Sequence, residues 1–315
     1  MTEITALEIH PSKTNITLMG GALDAPDILL TGHVLLHLKK PTKIISLSLS
    51  LSSKLHKYDY KIWSLTSVST QTLWKSVLLG IEHETSITLP AGTHTFPFEI
   101  TVCGDMAESV ETRLLAVKYS LTSVLKKPGF GLHTKIRSHK KIIVNRYHVS
   151  NEVDLFDSIM MSNSWPEHLE YQMTIDRKVV TLGQKLPIEF NLWPLFTHVK
   201  ILGVKFGLFE KLAGKKGSME RWFPLREDSV SDPPSLVSKL LYVKIPCQPR
   251  ITPDMSNDLI SVKHQLEICI LFEAKSKVKS IVLKCSLIIM PPIETVEEYL
   301  PSYSQALLSP EVILF

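Results

Sequence analysis

Apolar residues recur along this chain in short runs rich in Ile, Val, Leu and Thr, and Gly, Pro or Ser interrupts the runs after about ten residues, a rhythm that predicts strands joined by turns. The sharpest case is SLSLSLS at residues 46–52, where alternation sets Leu47, Leu49 and Leu51 on one face and serines on the other. Such a strand belongs to a sheet that is buried on one side and wet on the other. In the first half the strand-like runs are ILLTGHVLLHL, TKIISLSLSLSSKL, FPFEITV, AVKYSLTSVL and HKKIIVNRYH. In the second they are LPIEFNLWP, VKILGVKFGLFE, KLLYVKI, ISVKHQLEICILF and SIVLKCSLIIM. No long segment carries apolar residues at i, i+3, i+4 and i+7, which excludes the doubly wound α/β folds. The pattern predicts an all-β chain of two antiparallel β-sandwiches in tandem.

The length of 315 residues exceeds one ordinary sandwich and gives each half enough chain for its own core. The break falls after Arg146-Tyr147-His148, where VSNEVDLFDSIMMSNSWPEH turns polar and acidic. The expected organisation is a first domain over residues 1–149, a linker over 150–165, a second domain over 166–293 and a tail over 294–315. Within the second domain, KLAGKKGSMERWFPLREDSVSDPPSLVS is rich in Gly, Ser, Pro and charge, and reads as a long loop.

Composition narrows the class. With 44% hydrophobic and 21% charged residues the chain is of the globular kind. MTEITALEIHPSKTNI has neither the basic nor the apolar region of a secretory signal, and no run reaches the length of a membrane-spanning helix. A cytoplasmic protein is expected, so Asn15-Ile16-Thr17 should stay unglycosylated. Cys103, Cys247, Cys269 and Cys285 show no metal-binding or redox spacing and read as small core residues. The twelve histidines assemble no H-E-x-x-H, and neither a nucleophile elbow nor a P-loop is present, so the chain reads as no enzyme, with neither metal nor cofactor. His264 reads as a core-edge histidine, and Trp63, Trp74, Trp193 and Trp222 as core or loop anchors.

Charge is unevenly placed. Between Lys118 and His148 stand Lys118, Lys126, Lys127, Lys135, Arg137, Lys140, Lys141 and Arg146 with no acidic residue, while the whole chain carries only +4. In HTKIRSHKKI, alternation puts His133, Lys135, Arg137, His139 and Lys141 on one strand face. Such a stripe suits anionic lipid or a phosphorylated segment, or is simply a solvated face with lysines guarding an edge. Few aromatics interleave it, which argues against nucleic acid.

The segments also resemble a family. LPAGTHTFPFEITV, then ESVETRLLAVKYSLTSVLKK, then IRSHKKIIVNR are similar to the signature of arrestin N-domains, and LGQKLPIEFNL, VKILGVKFGLFEKL and ISVKHQLEICI are similar to arrestin C-domains. The resemblance runs in order over nearly the whole chain. It implies the arrestin fold of two immunoglobulin-like sandwiches, and within it the α-arrestins, adaptors that bring WW-domain HECT-type ubiquitin ligases to plasma-membrane transporter or receptor cargo. The tail holds Leu300-Pro301-Ser302-Tyr303. Pro301 pre-sets polyproline II geometry, and the resemblance implies that Leu300, Pro301 and Tyr303 dock on a WW domain. These adaptors usually carry several Pro-Pro-x-Tyr copies on a long tail, whereas this chain has one Leu-Pro-x-Tyr, so avidity is absent. The basic residues Lys126, Lys127, Lys135, Arg137, Lys140 and Lys141 are then expected to meet anionic lipid or phosphorylated cargo, with the protein recruited peripherally to the plasma membrane or endosomes. A coat or scaffold component similar to retromer's arrestin-like subunit is the alternative within the same fold.

Overall fold

The leucine alternation around residue 49 becomes an interior strand of a sheet in the computed structural model, which describes residues 4–59, 64–80, 86–129, 133–147, 157–166, 168–215, 217–229, 237–247 and 251–292. In chain order the first eleven strands are β1 (Ile4–Pro11), β2 (Asn15–Met19), β3 (Ile28–Leu38), β4 (Thr42–Ile44), β5 (Ser46–Asp59), β6 (Ser64–Leu79), β7 (Ile87–Leu89), β8 (Gly92–Val102), β9 (Val110–Glu111), β10 (Leu115–Lys127) and β11 (Thr134–Tyr147). They form one sheet in the order β1-β3-β8 and a second in the order β2-β11-β10-β5-β6, with β9 beside β10 and a small β4-β7 ladder. Inward-facing leucines and isoleucines of both sheets, among them Leu30, Leu36, Leu47, Leu49, Ile100 and Leu121, are fully buried against one another. At ~25 cal/mol per Å² of apolar surface, each such side chain contributes about 1.5–3 kcal/mol before the entropy of ordering is charged.

The remaining strands repeat the arrangement. They are β12 (Ile159–Trp165), β13 (Leu169–Ile175), β14 (Val179–Thr181), β15 (Lys185–Pro194), β16 (Val199–Gly214), β17 (Gly217–Ser229), β18 (Val237–Lys244), β19 (Met255–Ser256), β20 (Ile260–Ala274) and β21 (Lys277–Met290). One sheet runs β12-β13-β15-β18 and its partner β14-β21-β20-β16-β17, with β19 beside β20. Phe190, Phe206 and Phe272 fill the space between them. Pairing is antiparallel except that β2 lies parallel to β11 and β14 parallel to β21, so in each half an early short strand closes onto the last one.

Four expectations change. Residues 150–165 were expected to be linker throughout, but Ile159–Trp165 pairs with β13 from Ile159 opposite Ile175 to Trp165 opposite Leu169. Its exposed outer residues hide the alternation, since only Ile159, Met161 and Trp165 turn toward the core. The long loop expected from Lys211 is instead a hairpin, because β16 and β17 pair from Gly203 opposite Ser229 to Gly214 opposite Gly217. Opposite charges face each other across it, Glu210 with Arg221 and Lys211 with Glu220, so the charge that reads as loop is a cross-strand ladder. Of the cysteines only Cys285 is buried, Cys269 is half-buried, and Cys103 and Cys247 are exposed rather than in the core. Trp222 is likewise 52% exposed, its ring lying against Gly207 on β16, where a Cβ would collide with it.

The seam between the halves is packed. Leu212, Met255, Ile260 and Val262 of the second half are buried in the hydrophobic cluster of the first. Tyr147 Oη donates to the Pro291 carbonyl (2.8 Å), and Asn257 Nδ2 donates to Glu108 Oε2 (2.7 Å).

Candidate functional site

The outer face of the sheet β2-β11-β10-β5-β6 gathers the basic residues. Tyr119, Leu121, Ser123 and Leu125 of β10 point into the core, so Lys118, Ser120, Thr122, Val124 and Lys126 point outward. Antiparallel register sets Lys126 opposite Lys135, Val124 opposite Arg137, Thr122 opposite His139 and Ser120 opposite Lys141. On the other side of β10, Ser46, Ser48, Ser50, Ser52 and Lys54 face Lys126, Val124, Thr122, Ser120 and Lys118. Strand β6 adds Lys75 opposite Ser50. The result is a floor of short hydroxyls with cations standing around it.

Two features suit this face to an anion. Lys126 with Lys135, and Lys54 with Lys118, are like charges directly opposite one another, which destabilises a sheet unless a counter-charge joins them. Lys118 has one in Glu111, at 2.8 Å. The hydroxyls are also loosely held, since Ser48, Ser50 and Ser52 reach the carbonyls of Val124, Thr122 and Ser120 only at 3.4–3.5 Å.

Lys126, Lys135, Arg137 and Lys141 therefore converge as expected, and His139 joins them with its Nδ1 2.9 Å from Thr122 Oγ1. Lys127 and Lys140 do not. They share the strand parity of Leu125 and Ile142, which face the core, and extend from the opposite side of the sheet. Lys54 and Lys75 lie far away in sequence, so no local pattern could have found them. Leu300, Pro301 and Tyr303 lie outside the described residues.

Arg146, which is counted in the basic stretch, is no part of that face. It is buried, donates to the carbonyls of Gly20 (3.1 Å), Gly104 (2.7 Å) and Met106 (2.7 Å), and lies 3.5 Å from Glu108. Gly104 itself lies so close to the chain at Ala25 that a Cβ there would overlap the Ala25 carbonyl. Tyr119 Oη donates to the Ala107 carbonyl in the same region, and burial, followed by the charge of Glu108, pushes its phenol up to about 12.

A second ionic cluster lies inside the other half. Arg221 donates to Glu210 Oε1 through Nε (2.7 Å) and through Nη2, while the Thr252 amide donates to Oε2 (3.0 Å). His264 stands between two carboxylates, Nε2 at 3.3 Å from Glu210 and Nδ1 at 2.6 Å from Asp254, whose Oδ2 also accepts the Ile289 amide (2.6 Å). Burial alone would lower the pKa of this imidazole, but the two carboxylates outweigh it and hold it above its ordinary value. For Glu210, burial is likewise outweighed, by His264, the Thr252 amide and Arg221, and its carboxyl titrates below the usual range. His264 is thus an ion-paired core histidine whose two carboxylate partners come from β16 and from the segment before β19.

Among the described residues no helix is long and apolar enough to cross a membrane. Residues 21–154 match the family described as arrestin (or S-antigen), N-terminal domain. The chain is 29% identical over 155 residues to an arrestin domain-containing protein of Schizosaccharomyces pombe, covering 49% of this chain and 26% of that protein. It is 27% identical over 205 residues to a probable HECT-type ubiquitin ligase-interacting protein, creD, of Aspergillus fumigatus, covering 62% and 33%. With protein ROD1 of Saccharomyces cerevisiae it shares 29% identity over 124 residues, 39% and 14% of the two chains. The matched part thus spans about a third or less of each of these relatives. The fold and these matches make the chain similar to arrestin-domain proteins, with residues 21–154 matching the arrestin N-terminal domain.

Proposed function

We propose that the chain is an adaptor that links a WW-domain HECT-type ubiquitin ligase to membrane protein cargo, promoting cargo ubiquitylation, endocytosis and sorting. Its working parts are the arrestin-like bodies of residues 1–149 and of residues 159–293, and the tail of 294–315 that carries Leu300, Pro301 and Tyr303. The observation that carries the reading on the folded side is the outward pairing of Lys126 with Lys135 beside Arg137 and Lys141, a face that costs stability until an anion arrives. An anionic headgroup, or a phosphorylated cargo segment, supplies that anion and recruits the protein peripherally to the plasma membrane or endosomes. On the tail side, the similarity to a protein named for interacting with a HECT-type ubiquitin ligase supports a ligase partner. The reaction itself belongs to the ligase, and this chain supplies proximity by raising the ligase's local concentration at its cargo.

Two variants test the reading. Replacing Tyr303 by Ala should abolish WW-domain affinity and leave the thermal midpoint where it was, and retained affinity would remove the tail motif from the mechanism. Replacing Lys135, Arg137 and Lys141 together by Gln should weaken binding to anionic vesicles roughly a hundredfold, at about 1 kcal/mol per cation, with a steep salt dependence in the parent. Equal vesicle binding by parent and variant would return this face to a merely solvated role.

A further inference from the structure

The edge of the second sandwich presents a site distinct from the basic face. A cleft of about 220 Å³ is lined by Asn163, Ser164, Trp165, Tyr171 and Ile281. Its aromatic wall is anchored in the core, the Trp165 ring standing edge-on to Phe272 with centroids 5.3 Å apart and an interplanar angle of 82°. The cleft is therefore formed before any ligand arrives.

Alongside it runs an open strand edge. Among the described residues β12 pairs only with β13. The Ser164 amide donates to the Asn163 Oδ1 at 2.8 Å, so it points away from β13. In an antiparallel strand every second residue directs its N–H and C=O to the same side, and Met160 and Ser162 therefore share this direction. Such an edge is a template for an added strand, and Asn163 is a side-chain stopper that an incoming carbonyl displaces.

Charge selects the ligand. Lys277, Lys279 and Ile281 share one face of β21, and Lys279 Nζ lies 2.7 Å from His168 Nε2, beside the Trp165 wall. Lys275 and Lys277 stand exposed at the hairpin tip. Of the nearby carboxylates, Glu273 has the opposite parity to Phe272 and faces away from the cleft, while Glu170 stands opposite Ser164 on the outer face, so the lysines of β21 dominate the inner side. We propose that this edge docks an extended acidic segment of a partner protein, which adds as a strand to β12 and seats one bulky apolar side chain between Trp165, Tyr171 and Ile281. A lipid headgroup lacks the backbone to continue the ladder, so the unpaired edge favours a peptide. The proposal does not rest on the adaptor reading, because the tail and the first sandwich take no part in it.

The test is fluorescence polarisation of a labelled decapeptide of alternating Glu and Thr with one central Leu, titrated with the full chain. Two control peptides replace Leu by Gly or every Glu by Lys, and both should bind at least tenfold more weakly. Ser162→Pro removes an outward N–H that β13 does not use, so it should cut affinity at least tenfold at an unchanged thermal midpoint. Should that variant lose stability, Lys277→Glu decides instead, since its side chain is exposed, and it should weaken binding severalfold. Binding that ignores the leucine, the peptide charge or both protein variants would overturn the proposal, as would failure of the parent chain to bind at about 1 mM peptide, the floor of useful affinity.

Discussion

Each half of the molecule buries a cation near the seam, and the two cations are satisfied in different ways. Arg146 is always charged and is held mainly by backbone carbonyls, with Glu108 as its carboxylate partner. His264 can lose its proton and is held by two side-chain carboxylates. Both clusters brace the same boundary. Glu108 accepts Asn257 from the other half, and Asp254 precedes Met255, whose side chain is buried in the first half's core. The comparison teaches that one side of the seam is held by a permanent cation and the other by a titratable one.

Breaking the permanent cation should have the largest effect. Arg146→Met leaves the Glu108 carboxylate buried and the carbonyls of Gly104 and Met106 without their donor, a loss of about 3–5 kcal/mol. Urea unfolding measures it, and adding Glu108→Gln should recover part of the loss. A loss below about 1 kcal/mol would mean that water or relaxation already satisfies the cluster.

The titratable cation predicts a slope. His264 has a folded pKa above its ordinary 6.5, so its contribution is complete below that value and is lost as pH rises through the folded one. Glu210 has a folded pKa below its ordinary 4.5, so its contribution is present above that value and disappears only as pH falls through the lowered one. Unfolding free energy measured upward from neutral pH should therefore fall. His264→Gln should flatten the fall and cost about 1–3 kcal/mol at neutrality, whereas variants of Arg146 should keep the slope of the parent. An unchanged slope in His264→Gln would assign the pH dependence elsewhere.

The smallest effect has the opposite sign and serves as the control. Lys275 and Ser276 form the β20–β21 turn with φ of 51° and 57°, a left-handed conformation that suits Asn-Gly better. Lys275→Asn with Ser276→Gly should stabilise the chain by roughly 1 kcal/mol. Because the turn touches neither cluster, the pH slope should be the same before and after.

How much could be read beforehand depends on what each strand faces. Strands with one buried face, such as β3 and β10, show their alternation plainly. Strand β6 does not, because it is an edge strand whose residues from Ser64 to Leu73 are all exposed and are chosen from Ser, Thr, Gln, Leu and Val without a buried partner. Charged β17 was equally obscure, since its cross-strand partners on β16 are visible only once the hairpin has closed. The basic face was half legible. The parity of Lys135, Arg137 and Lys141 follows from spacing, while Lys54 and Lys75 enter through pairing between strands distant in sequence.

The sequence by itself determined the all-β class, the two-body plan and the outward stripe on β11, because period-two alternation and turn residues are local properties. Only the tertiary structure decided which charges are surface and which are buried. Arg146 shares the core-facing parity of Val144, yet the spacing of charges gives no hint that carbonyls of Gly20, Gly104 and Met106 will meet it there. His264 lies on the same buried face of β20 as Leu266 and Ile268, and its two carboxylates arrive from β16 and from the segment before β19. A buried charge is tolerated only where distant chain segments bring its partners, and that pairing is long-range by nature.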